Sequence, residues 1–431
     1  MDATEARNAN EYLRKHQLFG SQITDQPEVG LGTVVVIPCH DEPRVLLPLR
    51  SLWAGERAST PTEVIVVFNS AAGAPAEVVE RNRQGVAEVQ SWRDRHPDNH
   101  LRFWPVLYED LRAKHAGVGL ARKLGMDEAV ARFQRAGTED GVIASLDADC
   151  LTDPNYLPSL EAHFRTHSRT PACSVYFEHW IDSNASRSLA RGAVLYELYM
   201  RYYLRGLRQA RYANAFHTLG SCMAVRNRVY QQQGGMNRRK GGEDFYFLNK
   251  VINIGGFSEL NSTRVRPEAR ASERAPFGTG AALTRWLCDD SLFAEVVSPR
   301  AFESLSQLLA VASDLRDDEK ASQVLAALPA SVRAFLDRHA VVRHLAEIRA
   351  NTSSAAAFER RFLRWFDALK VLKFLRFATT RHYGGLPLLT AVGQLLAGSR
   401  PEPVATCRPE CAEAWLELLR NMDKAGMGAP T

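Results

Sequence analysis

Gly141-Val142-Ile143-Ala144-Ser145-Leu146-Asp147-Ala148-Asp149-Cys150 begins as an unbroken apolar run and ends in two carboxylates spaced two residues apart. Such a run marks a strand buried on both faces, as in a parallel sheet covered by helices. The strand is expected over Gly141–Asp147, with its acidic pair at the C-terminal end, where open α/β sheets bind ligands. Working outward, similar runs occupy Thr33–Pro38, Glu63–Asn69, Leu101–Leu107 and Ala172–Phe177. Segments with helical length and composition lie between them at Arg44–Ala54, Ala76–Arg95, Leu120–Ala136 and Tyr156–Thr166. Asp153-Pro154 supplies an N-cap-like start for the last of these. This βαβαβαβαβ order predicts an α/β fold, Rossmann-like, with a mostly parallel central sheet flanked by helices.

The chain changes character further on. Ala185–Tyr212 predicts one long helix rich in Arg, Leu and Tyr, and Leu219–Gly280 is punctuated by glycines in the manner of functional loops. Beyond Ser298 the β-branched runs vanish. Glu303–Leu315, Lys320–Leu328 and Ala355–Thr379 predict a helical C-terminal domain, with Pro401–Pro409 as a loop before a last helix, Cys411–Lys424. The expected organisation is an N-terminal extension over 1–32, an α/β domain over 33–297 and a helical domain over 298–431.

Composition narrows the class. At 45% hydrophobic and 24% charged residues, the 431-residue chain is neither disordered nor fibrous. Its cationic excess of five suits an anionic ligand or a membrane surface, and is too small and scattered to argue nucleic-acid binding. Seven cysteines, odd in number and widely spread, point to a reducing cytoplasm rather than a disulfide framework. Cys407 and Cys411 alone sit close together, without the second ligand pair that zinc needs. The N-terminus lacks an apolar signal region. The longest weakly polar run, Leu386–Gly398, falls short of the roughly 20 residues that a spanning helix needs, so membrane contact is expected to be peripheral at most. Arg360–Arg381 mixes Phe, Leu and Trp with many cations and could lie on an anionic bilayer. The alternative, a packed helix whose apolar residues face a core, is favoured.

Three motifs carry the chemistry. Asp147-Ala148-Asp149 can present oxygen ligands to Mg²⁺ or Mn²⁺, with a substrate diphosphate completing the shell. The bland alternative is a strand-end turn in which Asp149 and Asp153 cap the next helix. The first strand ends in Val36-Ile37-Pro38-Cys39-His40-Asp41-Glu42, and a second acidic pair stands in Lys240-Gly241-Gly242-Glu243-Asp244-Phe245.

Together, in this order, the three resemble the family 2 glycosyltransferases with the GT-A fold over roughly Thr33 to Gly280. The resemblance implies transfer of a single sugar from a nucleoside diphosphate sugar, a UDP-sugar first among them, to an acceptor hydroxyl, a lipid-linked one among the candidates. Pro38, His40 and Glu42 would lie at the nucleotide pocket with Asn69, which ends the second strand. Asp147 and Asp149 would meet the donor and its Mn²⁺ or Mg²⁺, with Asp149 as the direct ligand ahead of Asp147. Asp244 would be the general base of an inverting transfer, supported by Glu243. Gly117–Lys123 is similar to a glycine-and-arginine segment of the family and offers Arg122 to a phosphate at a helix start. Its missing third glycine argues against a dinucleotide fingerprint. Gly220 and Ser221 resemble the turn beside the donor sugar, and Arg274 stands where relatives place a mobile loop that meets the diphosphate.

Departures from the pattern bear on the substrate. Phe68-Asn69-Ser70 replaces the common Asp-Asp-Gly-Ser, and no Gln-x-x-Arg-Trp follows Asp244, which argues against processive polysaccharide synthesis. Two other readings remain at this stage. One is a nucleotidyltransferase, disfavoured because its Gly-rich, Arg-containing loop is missing after the first strand. The other is an idle member that binds a sugar nucleotide or a partner.

Overall fold

The computed structural model describes residues 11–397 and 411–427. Cys407 and the loop expected over 401–409 lie outside the described residues. Two compact units partition the chain. One is built from residues up to Ser186 together with His217–Thr284; the other takes Arg187–Phe216 together with residues from Arg285 onward.

The first unit holds one eight-stranded sheet of order β3-β2-β1-β4-β7-β6-β8-β5. β1 (Thr33–Cys39), β2 (Thr62–Ala71), β3 (Leu101–Leu111) and β4 (Val142–Ser145) pair in parallel, as their continuous apolar runs require. Helices α2 (Leu46–Ala54), α3 (Ala76–Arg95), α4 (Val118–Ala136) and α5 (Tyr156–Thr166) alternate with the strands. The other half of the sheet is mixed. β7 (Met223–Arg226) runs antiparallel to β4 and to β6 (Ala172–Phe177), β8 (Ser258–Pro267) lies parallel to β6, and β5 (Cys150–Thr152) closes the edge antiparallel to β8.

Helix α4 is buried on every side from Gly119 to Phe133, charged residues included. Its ions survive burial because each is paired, as they must be. Lys123 reaches Asp127 at 2.8 Å, and the Arg132 Nε donates to Glu63 at 2.7 Å. The segment before β1 contributes to the same helix, beginning with the helical residues 11–16 (α1). Tyr12 donates to Asp127 at 2.8 Å, and the Gln22 N–H donates to Glu128 at 2.9 Å. Residues 11–32 are thus part of the first unit.

The second unit is helical, as expected for the C-terminal part, and its boundaries differ from 298–431. Helix α6 (Arg187–Gln209) belongs to it, and its second stretch of chain begins at Arg285. Leu198 and Tyr202 of α6 share a core with Phe302, Leu305, Phe335, Phe362, Phe374 and Val392. Each such side chain contributes about 1.5–3 kcal/mol on burial. α17 (Cys411–Lys424) joins α6 through ions: buried Glu197 accepts from Arg201 at 2.8 Å and from Arg420 at 2.8 Å.

The stretch expected as one helix over Ala355–Thr379 is two, α14 (Ala355–Trp365) and α15 (Ala368–Ala378). Asp367 makes the break by accepting the Lys370 N–H at 2.9 Å as an N-cap. Phe362, Phe366, Phe374 and Leu375 are buried in the unit's core, while Leu372 is exposed. Among the described residues no helix is long and apolar enough to cross a membrane.

Candidate active site

The parallel strands deliver their C-terminal ends to one place. β1 and β4 are direct neighbours, so the segment after Cys39 and the segment after Ser145 emerge side by side. Asp41 turns the chain there with φ 49°, and its N–H is held by the Asn82 side chain at 3.0 Å. Pro38 lies within β1, in register with Val67. The ring of His40, exposed, bonds the Asn69 carbonyl through Nδ1 at 2.8 Å, and Asn69 itself is buried. Pro38, His40 and Asn69 therefore gather at one strand end.

Glu42 is buried and ringed by cations. Arg270 donates to both of its oxygens, and Arg274 reaches it at 3.2 Å while also donating to the His40 carbonyl at 3.0 Å. Burial works against ionisation, but the bonds and charge of Arg270 overcome it and hold the carboxyl below its ordinary pKa. The loop after β8 is thereby fastened to the loop after β1.

Between the two acidic motifs lies Arg122. Its side chain is 2% exposed, donates through Nε to Ser145 Oγ at 2.9 Å, reaches Asp147 at 2.6 Å and pairs with Glu243. Burial opposes its charge, but Asp147 and Glu243 outweigh it and raise the pKa above the ordinary arginine value. A phosphate contact was expected of Arg122; its guanidinium is instead committed to these three partners. Two glycines make the arrangement possible. A Cβ at Gly220 would lie 2.7 Å from the guanidinium, and one at Gly119 would lie 2.3 Å from the Arg239 carbonyl oxygen and 2.9 Å from the Glu243 Cβ.

Helix α8 (Glu243–Ile252) starts at the acidic pair, after Gly242 in the left-handed region at φ 70°. Asp244 is half-buried and accepts two backbone N–H groups, from Gly220 at 2.8 Å and Phe245 at 2.7 Å. Burial is the main reason that Glu243 and Asp244 both stand above the ordinary carboxylate range, with Arg122 pulling the other way. Ser221, by contrast, is buried, and its hydroxyl lies 3.4 Å from the Cys222 sulfur.

Asp149 stands after β4, beside Asp147 and within reach of Arg270. Burial and then the neighbouring Asp147 push its pKa up to about 6, against the pull of Arg270 at 3.3 Å. A hard divalent cation beside this pair would relieve the repulsion that raises Asp149. The donor set therefore fits Mg²⁺ or Mn²⁺ in type. It supplies two ligands only: among the described residues no group of three His, Cys, Asp or Glu could hold a metal. The helix-cap alternative fails, because Asp153 pairs with Arg264 at 3.3 Å and the α5 N-cap, Asn155, makes no side-chain cap bond.

Sequence reasoning missed Arg270, Arg44 and Glu268. Arg270 spans Glu42 and Asp149, and Arg44 pairs with Glu268 beside the Trp180 ring. Arg270 stood beside Arg274 in the sequence; nothing local distinguished Arg44 or Glu268 from solvated surface charges.

No family model matches the chain, and no curated protein matches it. Among solved structures, S. aureus TarS 1-349 in complex with UDP-GlcNAc is similar at 13% identity and TM-score 0.42, over 80% of this chain and 92% of that one. The chain spans 43% of the longer S. aureus TarS structure. A mannosyltransferase from Pyrobaculum calidifontis, in complex with GDP-Man and Mn²⁺, is similar at 17% identity and TM-score 0.35, over 99% of this chain and 96% of that one. Glucosyl-3-phosphoglycerate synthase from Mycobacterium tuberculosis matches at 14% identity and TM-score 0.33, over 55% of this chain and 74% of that one.

Proposed function

We propose that the chain is a metal-dependent glycosyltransferase of the GT-A type that moves one sugar from a nucleoside diphosphate sugar, a UDP-sugar first, to an acceptor hydroxyl with inversion. The observation that carries this reading is the single guanidinium of Arg122, which ties Asp147 of the strand-end pair to Glu243 of the helix-start pair. Carboxylates suited to a donor and a carboxylate suited to an acceptor are thereby held at one place.

The division of labour follows from the environments. Asn69, His40 and Glu42 form the nucleotide end, and Asp149 with Asp147 would hold the Mn²⁺ or Mg²⁺. Bound there, the metal supplies charge stabilisation for the departing diphosphate. Arg274 and Arg270 lie on the same loop and can move their charge from Glu42 to that diphosphate. As the acceptor oxygen attacks C1 and the bond to the diphosphate oxygen breaks, the hydroxyl proton passes to Asp244. A carboxylate raised above its ordinary pKa is the better base for this, and two backbone N–H groups fix its direction. Glu243, spent on Arg122, positions Asp244 rather than touching substrate.

The test has two parts. In a thermal-shift panel of UDP, GDP, CDP and dTDP with and without Mn²⁺, one nucleotide should stabilise the wild type only with metal and fail on Asp149→Ala. At about 100 times its dissociation constant a ligand adds about 2.7 kcal/mol. Asp244→Asn should keep that binding and lose about 10²–10⁴-fold in donor turnover. Binding without turnover in the wild type would make the protein a binding module instead.

A further inference from the structure

Five cations stand beside the acidic pair with no carboxylate to answer them. Arg112, Lys114, Arg238, Arg239 and Lys240 are exposed, and none forms an ion pair among the described residues.

The five come from two stretches far apart in sequence that the fold brings together. A Cβ on Gly117 would lie 3.2 Å from Lys240 Cα, and Gly119 meets the Arg239 carbonyl, so residues 238–240 run directly against the start of α4. The turn that carries Arg112 and Lys114 leads into the same point, with the Ala116 N–H donating to the Arg112 carbonyl at 3.0 Å. Arg239 lies over the Tyr246 ring at 3.9 Å, which leaves its N–H edge available for recognition. Carboxylates in these stretches do not neutralise the group: Glu109 is held by Arg83 at 2.8 Å, Glu243 is spent on Arg122, and Asp110 pairs with none of the five. Lys240 precedes Asp244 by four residues, so the positive field borders the candidate base.

We propose that this cluster recognises a phosphate ester on the acceptor and brings the hydroxyl beside that phosphate to Asp244. The inference rests on the glycosyl-transfer reading for the role of Asp244, while the phosphate recognition itself can be measured without turnover. Clustered guanidinium and ammonium groups bind phosphate by charge-assisted hydrogen bonds and raise its local concentration. The phosphate could belong to a small soluble acceptor or to a lipid headgroup.

The experiment uses the full chain, with the nucleotide sites saturated by whichever nucleoside diphosphate binds. ³¹P line broadening in Mg²⁺ buffer reports binding of glycerol 3-phosphate, which excess glycerol should not reverse, and co-sedimentation reports binding to phosphatidylglycerol-containing vesicles against phosphatidylcholine ones. Arg239→Gln/Lys240→Gln and, on the facing loop, Lys114→Gln are compared with wild type. The expected result is binding of one phosphate probe, at least ten-fold weaker in the double variant and weaker in Lys114→Gln, with nucleotide affinity unchanged. Loss with glycerol 3-phosphate assigns a soluble acceptor; loss with the vesicles alone assigns a lipid-borne one. Equal binding by all three proteins, or none by wild type, overturns the proposal. Failure of every nucleotide to bind, read in its own titration, would overturn the donor assignment instead.

Discussion

Arg122 is closed off from solvent and divides its guanidinium among Ser145, Asp147 and Glu243, so any change there strands a charge. Arg122→Met should cost about 3–5 kcal/mol, because Glu243 is left buried without its counter-ion. Urea denaturation would register this as a lower midpoint. Gly220→Ala is the converse test: the added methyl meets a guanidinium that three partners hold still, and a loss of about 1–3 kcal/mol is expected in the same assay. The residue scale also shows what a sequence can and cannot say about a site. Both acidic pairs stood out by their company, since each alone reads equally as a turn or a helix cap and only their order after Pro38–Glu42 resembles a known pattern. Arg122 stood out for a phosphate and not for these partners, since an arginine one turn into a helix looks alike whether it faces a phosphate or a glutamate 121 residues further on.

At the scale of elements, helix α5 carries a titratable contact. His163 is buried, lies 2.8 Å from Ser258 Oγ, and has its pKa lowered to about 4 by burial and then by His167 and Arg226. Between that value and the unfolded value near 6.5 the unfolded chain binds a proton that the native one does not, so stability falls as pH drops through this window. From pH 7 to pH 5 the loss from this group should be about 2 kcal/mol, and His163→Gln should flatten the denaturation-derived profile by that amount. Elements differed in how far the sequence disclosed them. Ala76–Arg95, Tyr156–Thr166 and Ala172–Phe177 form as read, each with unmistakable period and length. β7 has only four residues, and β8 reads Ser-Glu-Leu-Asn-Ser-Thr-Arg, too polar to announce a strand. Their mixed pairing is set by neighbours across the sheet, which local periodicity does not encode.

For the whole molecule, the partition into two interleaved stretches of chain gives a direct test. A fragment of residues 285–431 lacks Leu195, Leu198 and Tyr202 of α6, which belong to the core of its unit. It should show no cooperative thermal transition by circular dichroism, despite containing nearly every helix of that unit. A cooperative transition in this fragment would mean that α6 is dispensable. Sequence alone misplaced this boundary because an amphipathic helix declares that it has an apolar face without naming the segment that covers it. The same interleaving has a temporal side. On the ribosome, Arg187–Gln209 emerges long before α17, whose ions close over Glu197. At about 5–20 residues per second the wait is roughly 10–40 s. Throughout that interval the nascent chain carries Glu197 without the Arg420 ion that later closes over it, while Tyr202 is covered sooner, once Phe302 has emerged to meet its ring.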